Sequence, residues 1–302
     1  MRALFLFLAK QEGFKNLAMK LGIFRRAALR FVAGEGLDDA IRAVRQANQQ
    51  NMTGTLDLLG ENTLTREDAV NACAEIIGIF DRILAEQVRC NISVKLTQLG
   101  LALDPELSRR CLFQIAKHAL GKGNFVRVDM EDSPYTQCTL EIVEDAHQEL
   151  GNVGTVIQSY LYRSEQDTLR LLDRGIGIRL VKGAYLEPES IAFRKKKDTD
   201  ANFIKLMKIL LTSKPYHAIA THDESIISAT KHFARTEEIP KDHFEFQMLY
   251  GIRRDLQVRL AQEGYNVRIY IPYGRRWYSY FMRRLAERPS NVAFVARNFF
   301  RD

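Results

Sequence analysis

Eight short apolar segments recur along this chain, and segments with helical periodicity separate them. Because strands that alternate with helices build parallel sheets, the pattern predicts an α/β protein. Eight such units in 302 residues favour a closed, TIM-like (βα)8 barrel. The predicted strands are 53–60, 91–100, 124–131, 152–161, 176–185, 217–223, 244–251 and 267–274.

An open, doubly wound sheet is the competing architecture for the same alternation. Such a sheet binds a dinucleotide through a G-x-G-x-x-G turn after a strand, and this sequence contains no turn of that kind. We therefore expect two parts: an N-terminal helical arm over residues 1–50 and a barrel catalytic domain over residues 51–302.

Helix starts are predicted from polar residues that precede acidic first turns. Pro105, directly after Asp104, occupies the favoured first helical position. The other predicted starts lie at Thr63, Ser164 and Asp223.

The N-terminal arm carries an apolar run that is too short to span a bilayer. Its amphipathic pattern suits a helix that docks on a core or one that lies on a membrane surface, and both interpretations stay open. A net charge of +7 and a pI near 9.2 suit anionic ligands or anionic lipid. No recognised nucleic-acid motif accompanies that charge. The four cysteines form no C-x-x-C pair, so reduced thiols are expected.

Nearly every predicted strand carries polar side chains in its second half. Barrel strands are otherwise apolar, and barrel active sites lie at the C-terminal ends of the strands, so these residues predict one convergent site. The polar residues are Asp57, Glu61, Lys95, Asp129, Glu131, Gln158, Arg179, Lys182, Tyr185, Thr221, His222, Asp223, Gln247, Tyr270 and Tyr273.

Cations and tyrosines dominate this set, which favours an anionic substrate or cofactor. The sequence lacks the H-E-x-x-H, G-x-S-x-G and P-loop patterns. Six histidines in the whole chain argue against a metal cage, so no metal is expected. Arg283 and Arg284 stand side by side in the apolar stretch YSYFMRRL, either on a solvated helix face or as an anion clamp.

Eight stretches resemble the proline dehydrogenase (proline oxidase) family in family order. They cover roughly residues 50 to 300, and the length is similar to that of the short monofunctional bacterial form. RLVKGAY and the closing Y-x-x-R-R are the specific signals. The stretches are SVKL (93–96), VRVDME (126–131), VIQSYL (156–161), RLVKGAY (179–185), ATHD (220–223), FEFQMLYG (244–251), RIYIPYG (268–274) and YFMRRL (280–285).

The resemblance implies a distorted barrel that binds FAD. It also implies oxidation of L-proline to Δ1-pyrroline-5-carboxylate by hydride transfer to flavin N5, the first step of proline catabolism. Electrons would pass to membrane quinone, so the implied location is cytoplasmic, with peripheral contact at the inner face of the membrane. Pyrroline-5-carboxylate dehydrogenase is the implied downstream partner, and no nucleic acid is expected.

Residue by residue, the resemblance assigns roles to matching positions. The catalytic positions are Lys95, Asp129, Arg179 and Tyr270. The substrate-binding positions are Lys95, Tyr185, Leu249, Tyr270, Tyr280, Arg283 and Arg284. The FAD-binding positions are Asp129, Met130, Gln158, Arg179, Val181, Lys182, Gly183, Ala184, Lys195, Lys196, Thr221, His222 and Gln247.

The paired arginines are expected to have unequal roles. Adjacent helical residues point about 100° apart, so the two side chains cannot lie parallel on one anion. Tyr280, three and four residues earlier, lies close to the face of both. We expect Arg284 to grip the substrate carboxylate, and Arg283 to form a gate with Glu61, a family glutamate position, when the site is empty.

Two other functions remain open on the residues alone. One is a Schiff-base aldolase with Lys95 or Lys182 as the nucleophile, which requires a lysine that desolvation keeps neutral. The other is a basic nucleic-acid-binding protein, whose binding weakens steeply with salt.

Overall fold

Eight parallel strands close into a barrel at the centre of the computed structural model, which describes residues 28–60 and 63–287. Each strand pairs with the next along the chain, and β8 returns to β1. The strands are β1 Thr53–Leu58, β2 Cys90–Val94, β3 Val126–Val128, β4 Val153–Gln158, β5 Ile178–Val181, β6 His217–Ala220, β7 Phe244–Leu249 and β8 Asn266–Tyr273.

Within the described residues one helix precedes β1 and one follows each strand. The first helix lies against β1 and β8, and none of the described helices is long and apolar enough to cross a membrane. The helices are α1 Leu37–Gln49, α2 Arg66–Ala85, α3 Pro105–Gly121, α4 Ser133–Leu150, α5 Ser164–Asp173, α6 Lys196–Leu211, α7 Glu224–Thr236, α8 Arg254–Gln262 and α9 Trp277–Glu287.

The closed barrel predicted from the strand–helix alternation is confirmed, and the open sheet is excluded. All eight predicted segments contain a strand, but several strands end earlier than predicted. β2 ends at Val94 and β5 at Val181, so Lys95 and Lys182 lie at the start of the loops that follow. The boundary between arm and barrel stays a prediction, because residues 1–27 lie outside the described part of the chain.

Two of the four predicted helix starts are confirmed as caps. The carboxylates of Asp104 and Asp223 accept hydrogen bonds from backbone amides in the first turns of α3 and α7. Thr65 rather than Thr63 caps α2, because its hydroxyl reaches the amide of Asp68 at 3.1 Å. Ser164 lies inside α5 and donates its hydroxyl to backbone carbonyls before the helix, so it is not the cap.

The apolar core fills the layer between the barrel and the helices. Leu56, Ile92 and Val126 of the strands are fully buried in the same cluster as Ile76 and Leu112 of the helices. All four cysteines are free thiols, as predicted. Because this outer layer is apolar, the polar strand residues are left to fill the barrel interior.

Gly154 in β4 marks a place where the barrel leaves no room for a side chain. A Cβ atom there would lie 2.5 Å from the carbonyl oxygen of Gly177 and 2.6 Å from Nη1 of Arg127. By contrast Gly151, the C-cap of α4, has a left-handed backbone with φ of 73° but no neighbour within 4 Å of such a Cβ. The first glycine is required by packing and the second by backbone conformation.

We predict that Gly154→Ala lowers the free energy of unfolding by roughly 3 kcal/mol, because backbone and a buried guanidinium must shift. Gly151→Ala should cost about 1 kcal/mol, the ordinary cost of a left-handed alanine. Urea unfolding of the two variants measures the difference. Equal losses would contradict this account of the barrel interior.

Candidate active site

A cavity of about 480 Å³ opens at the C-terminal ends of the barrel strands. Its walls contain every described residue to which the resemblance assigns a role except Lys195. Glu131 and Tyr273, which were predicted from the strand pattern alone, do not line it. Six further wall residues have no role assigned by the resemblance: Asp57, Val156, Ala220, Asp223, Met248 and Ile252. Two of them, Asp57 and Asp223, belong to the polar set predicted from the strand ends. Its volume falls within the ordinary range for small-molecule sites.

Lys95 is the centre of a hydrogen-bond network at the floor of this cavity. Its Nζ lies 2.8 Å from Oδ1 of Asp57, 3.3 Å from Oδ2 of Asp129 and 3.2 Å from the hydroxyl of Tyr270. The side chains of Lys95 and Asp57 are 10% and 1% exposed. Three strands, β1, β3 and β8, thus deliver partners to one lysine that follows β2.

Asp129 is held as an anion by donors on both of its oxygens. Nη1 of Arg179 donates to Oδ1 at 2.6 Å, and the hydroxyl of Tyr270 donates to Oδ2 at 2.6 Å. Burial alone would raise the pKa of Asp129, but Lys95 and Arg179 together lower it below the ordinary value. Burial and the neighbouring Asp129 raise the pKa of Tyr270 well above its ordinary value, so this phenol stays protonated and donates.

Asp57 has the opposite environment. Burial raises the pKa of its carboxyl, Asp129 adds to that effect, and Lys95 opposes it. Oδ2 of Asp57 has no hydrogen-bond partner among the described residues. The two carboxyl groups that share Lys95 therefore differ in proton affinity.

A second layer of charged residues lies deeper in the barrel, and sequence reasoning missed it. Nε of Arg268 donates to Glu245 at 2.8 Å, and Nη1 donates to the carbonyl of Gly54 and to Asn91. Burial would raise the pKa of Glu245, but Arg268 lowers it. The sequence does carry a signal for this layer: charged residues, including Arg127, stand early in β3, β7 and β8 rather than at the strand ends.

Lys182 and Lys196 form a charged cluster at the cavity edge with two aspartates. Nζ of Lys182 lies 2.6 Å from Oδ1 of Asp200 and 2.8 Å from Oδ2 of Asp223. Lys196 also pairs with Asp200, and it lies 3.2 Å from Asp223. These hydrogen bonds hold the pKa of Asp223 well below its usual range, against the effect of burial. Lys195 does not line the cavity, because it is the exposed residue just before α6.

The loop after β5 passes close to a buried tyrosine. Gly183 has φ of 111°, and a Cβ there would lie 2.1 Å from the ring of Tyr160. The backbone amide of Tyr160 in turn donates to the carbonyl of Lys182 at 2.9 Å. Glycine at position 183 therefore lets the KGAY stretch pack on Tyr160 while it lines the cavity.

Helix α9 turns its aromatic residues to the core and its arginines to the cavity. Trp277 and Tyr278 are buried in one cluster with Phe31, in agreement with a packing role. Arg283 and Arg284 are half-buried and line the cavity, so the solvated-face interpretation is wrong. The guanidinium carbon of Arg284 lies 5.0 Å from the ring centre of Tyr280. Glu61, the predicted partner of Arg283 in the gate, lies outside the described residues.

Several other polar side chains on the cavity wall form hydrogen bonds with the backbone of the barrel. His222 accepts the backbone amide of Leu249 on Nε2 at 3.0 Å, which joins β6 to β7. Nε2 of Gln158 donates to the carbonyl of Glu131 at 2.9 Å. Among the described residues, Oε1 of Gln247 and Nε of Arg179 are buried without a hydrogen-bond partner. Thr221 accepts the amide of Asp223.

These two atoms and the arginines indicate what the cavity binds. A buried acceptor and a buried donor on its wall suit a ligand with both kinds of polar group. The cations at its mouth suit a ligand that also carries negative charge. No cluster of three metal-binding side chains occurs within residues 28–60 and 63–287.

The sequence matches the family model described as proline dehydrogenase over residues 40–297. It is 42% identical to proline dehydrogenase 1 of Bacillus subtilis, across 100% of this chain and 99% of that protein. It is 44% identical to a proline dehydrogenase of Deinococcus radiodurans, across 91% and 90% of the two chains. A crystal structure of proline utilization A from Bdellovibrio bacteriovorus, inactivated by N-propargylglycine, superposes with a TM-score of 0.83 at 27% identity. That match covers 92% of this chain and 34% of the other.

We predict that Arg268→Met lowers the free energy of unfolding by about 3–5 kcal/mol at neutral pH, because it leaves Glu245 as a buried, unpaired charge. The deficit should shrink in acid. The pKa of Glu245 is lowered in the folded protein, so its ionic stabilisation is present above the ordinary carboxyl pKa and lost as pH falls. Lys196→Met is the control, since its side chain is 71% exposed and its pair should contribute less than about 1 kcal/mol. Urea unfolding at neutral and at acidic pH measures the free energy of unfolding of both variants. Equal losses in the two variants would contradict the prediction.

Proposed function

The chain belongs to the proline dehydrogenase family, and from that premise we propose that it oxidises L-proline to Δ1-pyrroline-5-carboxylate with FAD as the bound oxidant. The observation that carries the proposal is one cavity that combines two anion-binding arginines with the buried Lys95 network. The first group suits a carboxylate, and the second suits a reaction that moves charge and protons at a buried centre.

Arg283 and Arg284 are proposed to bind the carboxylate of proline. A guanidinium group offers donors in a planar fork that matches a carboxylate, and its charge is permanent. Both side chains project from α9, whose buried aromatic face fixes their position. Tyr280, stacked near Arg284, is proposed to close the pocket with Tyr185 and Leu249. A substrate held at one end leaves its ring facing the floor of the cavity.

FAD, when bound, would accept the two electrons and the hydrogen of the C–H bond as hydride. The residues proposed to hold it include Gln247 and Arg179, because Oε1 of Gln247 and Nε of Arg179 are buried without a hydrogen-bond partner among the described residues. Arg179 is also fixed by Asp129 and by the hydroxyl of Ser93 at 3.0 Å, so its cation has a set position. The other proposed FAD contacts are Asp129, Met130, Gln158, Val181, Lys182, Gly183, Ala184, Lys195, Lys196, Thr221 and His222.

Lys195 and Lys196 are proposed to lie near the FAD phosphates, as the resemblance implies, and Lys196 is already neutralised in part. Asp200 and Asp223 contact both Lys182 and Lys196, so phosphate groups would have to share these cations with two carboxylates. Lys195 remains exposed and is available from outside the cluster. This arrangement favours phosphate binding at the edge of the charged cluster, near Lys195, rather than at its centre.

The proposed acceptor of the electrons is membrane quinone, reached by peripheral contact at the inner face of the cytoplasmic membrane. The proposed partner downstream is a pyrroline-5-carboxylate dehydrogenase. In support of the latter, the Escherichia coli relative is named bifunctional protein PutA, and this chain matches only 24% of it at 28% identity.

The visible spectrum of the purified protein tests the proposed function. We expect a yellow protein that releases flavin on denaturation and loses its colour when L-proline is added without an electron acceptor. D-proline serves as the control, because the arginine clamp fixes one end of the substrate and so discriminates between the two faces of the ring. A colourless protein that borohydride traps with a keto substrate would favour the aldolase instead. Salt-sensitive binding to nucleic acid alone would favour the second alternative.

We predict that Arg284→Ala raises the KM for proline by roughly 10- to 100-fold, the effect of losing one charge-assisted contact of about 1.5–3 kcal/mol. Flavin content should be retained, because the substitution lies on the substrate side. Arg276→Ala is the matched control, since Arg276 precedes the same helix but is exposed. Steady-state kinetics and flavin absorbance measure both effects. Loss of flavin with an unchanged KM would contradict the clamp.

A further inference from the structure

Asp57 lies at the end of β1 beside Lys95, and the family resemblance assigns it no role. Its side chain is 1% exposed and reaches the cavity wall. Oδ1 accepts a hydrogen bond from Nζ of Lys95 at 2.8 Å, while Oδ2 has no partner among the described residues. A buried group with one free oxygen, on the wall of a reaction cavity, calls for an explanation.

Comparison with Asp129 shows why Asp57 is poorly suited to stay charged. Asp129 receives donors on both oxygens, from Arg179 on one side and from Tyr270 and Lys95 on the other. Asp57 accepts from Lys95 on Oδ1 and has no partner on Oδ2. The hydroxyl of Tyr270 also lies near Asp57 and opposes the rise of its pKa, but it gives its one proton to Asp129 at 2.6 Å. Burying a carboxylate is costly unless its oxygens are hydrogen-bonded, so the first aspartate is suited to be an anion and the second to gain a proton.

The other groups that face Asp57 leave this contrast in place. Lys95 after β2 is the cation in contact with it, and Asp129 after β3 adds a negative charge. From β8 the phenols of Tyr270 and Tyr273 face it, and burial raises the pKa of both, so neither supplies a charge. Arg179 on β5 is directed to Asp129. Burial raises the pKa of Asp57 in this setting.

Resting on the proposed function, we propose that Asp57 receives, through Lys95, the proton that the ring nitrogen of the substrate loses. Asp57 is thus a positioning residue that acts on the substrate by way of the lysine. The pair shares one hydrogen bond at 2.8 Å, which is short enough for direct proton transfer. The pair then titrates as one unit.

Proline enters as an ammonium, and one of its N–H bonds breaks as that proton bonds to Nζ of Lys95. A proton of Lys95 moves at the same time to Oδ1 of Asp57. The ring C–H bond beside the nitrogen then breaks, its electron pair leaves as hydride to the proposed flavin oxidant, and the nitrogen lone pair completes the C=N bond. The pair holds one shared proton before the step and two after it.

The pH dependence of kcat/KM for proline in Asp57→Asn tests this role. In the variant only Lys95 remains to accept the proton, and an unperturbed lysine has a pKa of about 10.4. We expect the acidic limb of the profile to move up by about one pH unit or more. At neutral pH, kcat/KM should fall by roughly 10²- to 10³-fold, the usual contribution of a positioned proton acceptor, and recover in part at higher pH. Titration of the substrate itself is common to all variants.

Ser93→Ala is the matched control, because Ser93 is equally buried and contacts Arg179 and Thr55 rather than Lys95. In Ser93→Ala the acidic limb of the pH profile of kcat/KM should stay at the wild-type position. A uniform fall of kcat/KM in Asp57→Asn without a shift of the limb would overturn the proposal in favour of packing. A shift to lower pH would also overturn it, because Asp57 would then act only as a counter-ion that raises the proton affinity of Lys95.

Infrared spectroscopy provides a reading that does not depend on turnover. The wild-type protein should show a protonated-carboxyl band that titrates above about pH 5, where an ordinary aspartate is already ionised, and Asp57→Asn should lack it. If the variant does not fold, absence of such a band in the wild type overturns the proposal by itself. If the wild type does not react with proline, the proposed function fails, and the infrared result still decides where the proton resides.

Discussion

The contact between Asp129 and Arg179 is the interaction on which the rest of the site depends. A carboxylate and a guanidinium at 2.6 Å, both nearly excluded from water, fix the ends of β3 and β5 relative to each other across the barrel. Tyr270 donates to the same carboxylate, which brings β8 into the network. Lys95 therefore contacts two different carboxyl groups. Asp129 is stabilised as an anion by Arg179 and Tyr270, whereas Asp57 lacks such donors on its second oxygen. The electrostatic asymmetry of the cavity floor follows from that one pair.

The deeper layer of charged residues supports the charged cavity floor from inside the barrel. The lumen has to be filled, and here Arg268 and Glu245 fill it with matched charge and with hydrogen bonds to the backbone. Arg127 adds a guanidinium directed at the carbonyl of Thr155, and glycine at position 154 provides the space it needs. The strands below the cavity are therefore held by polar contacts inside and by apolar packing outside.

The number and order of the strands were predictable because apolar runs and helix periodicity are local properties of the sequence. The position of the cavity was predictable because the C-terminal ends of parallel strands meet at one end of the barrel. The ion pairs between side chains were not predictable, since they depend on strand register and on which of several charged groups comes closest. Lys182 pairs with Asp200 and Asp223, which lie 18 and 41 residues further along the chain. Lys195 and Lys196 differ by one position, yet α6 begins between them, and only Lys196 reaches the cavity.

Helix α9 joins the apolar and the charged parts of the molecule. Its buried side packs Phe281 against Phe31 at 6.2 Å between ring centres, so a segment that precedes the barrel contributes to the last helix of the barrel. Its other side presents Arg283 and Arg284 to the cavity. Because one rigid helix carries both faces, the apolar contacts determine where the two cations stand. The affinity of the site for an anion is therefore coupled to packing on the far side of the helix, where no ligand is in contact.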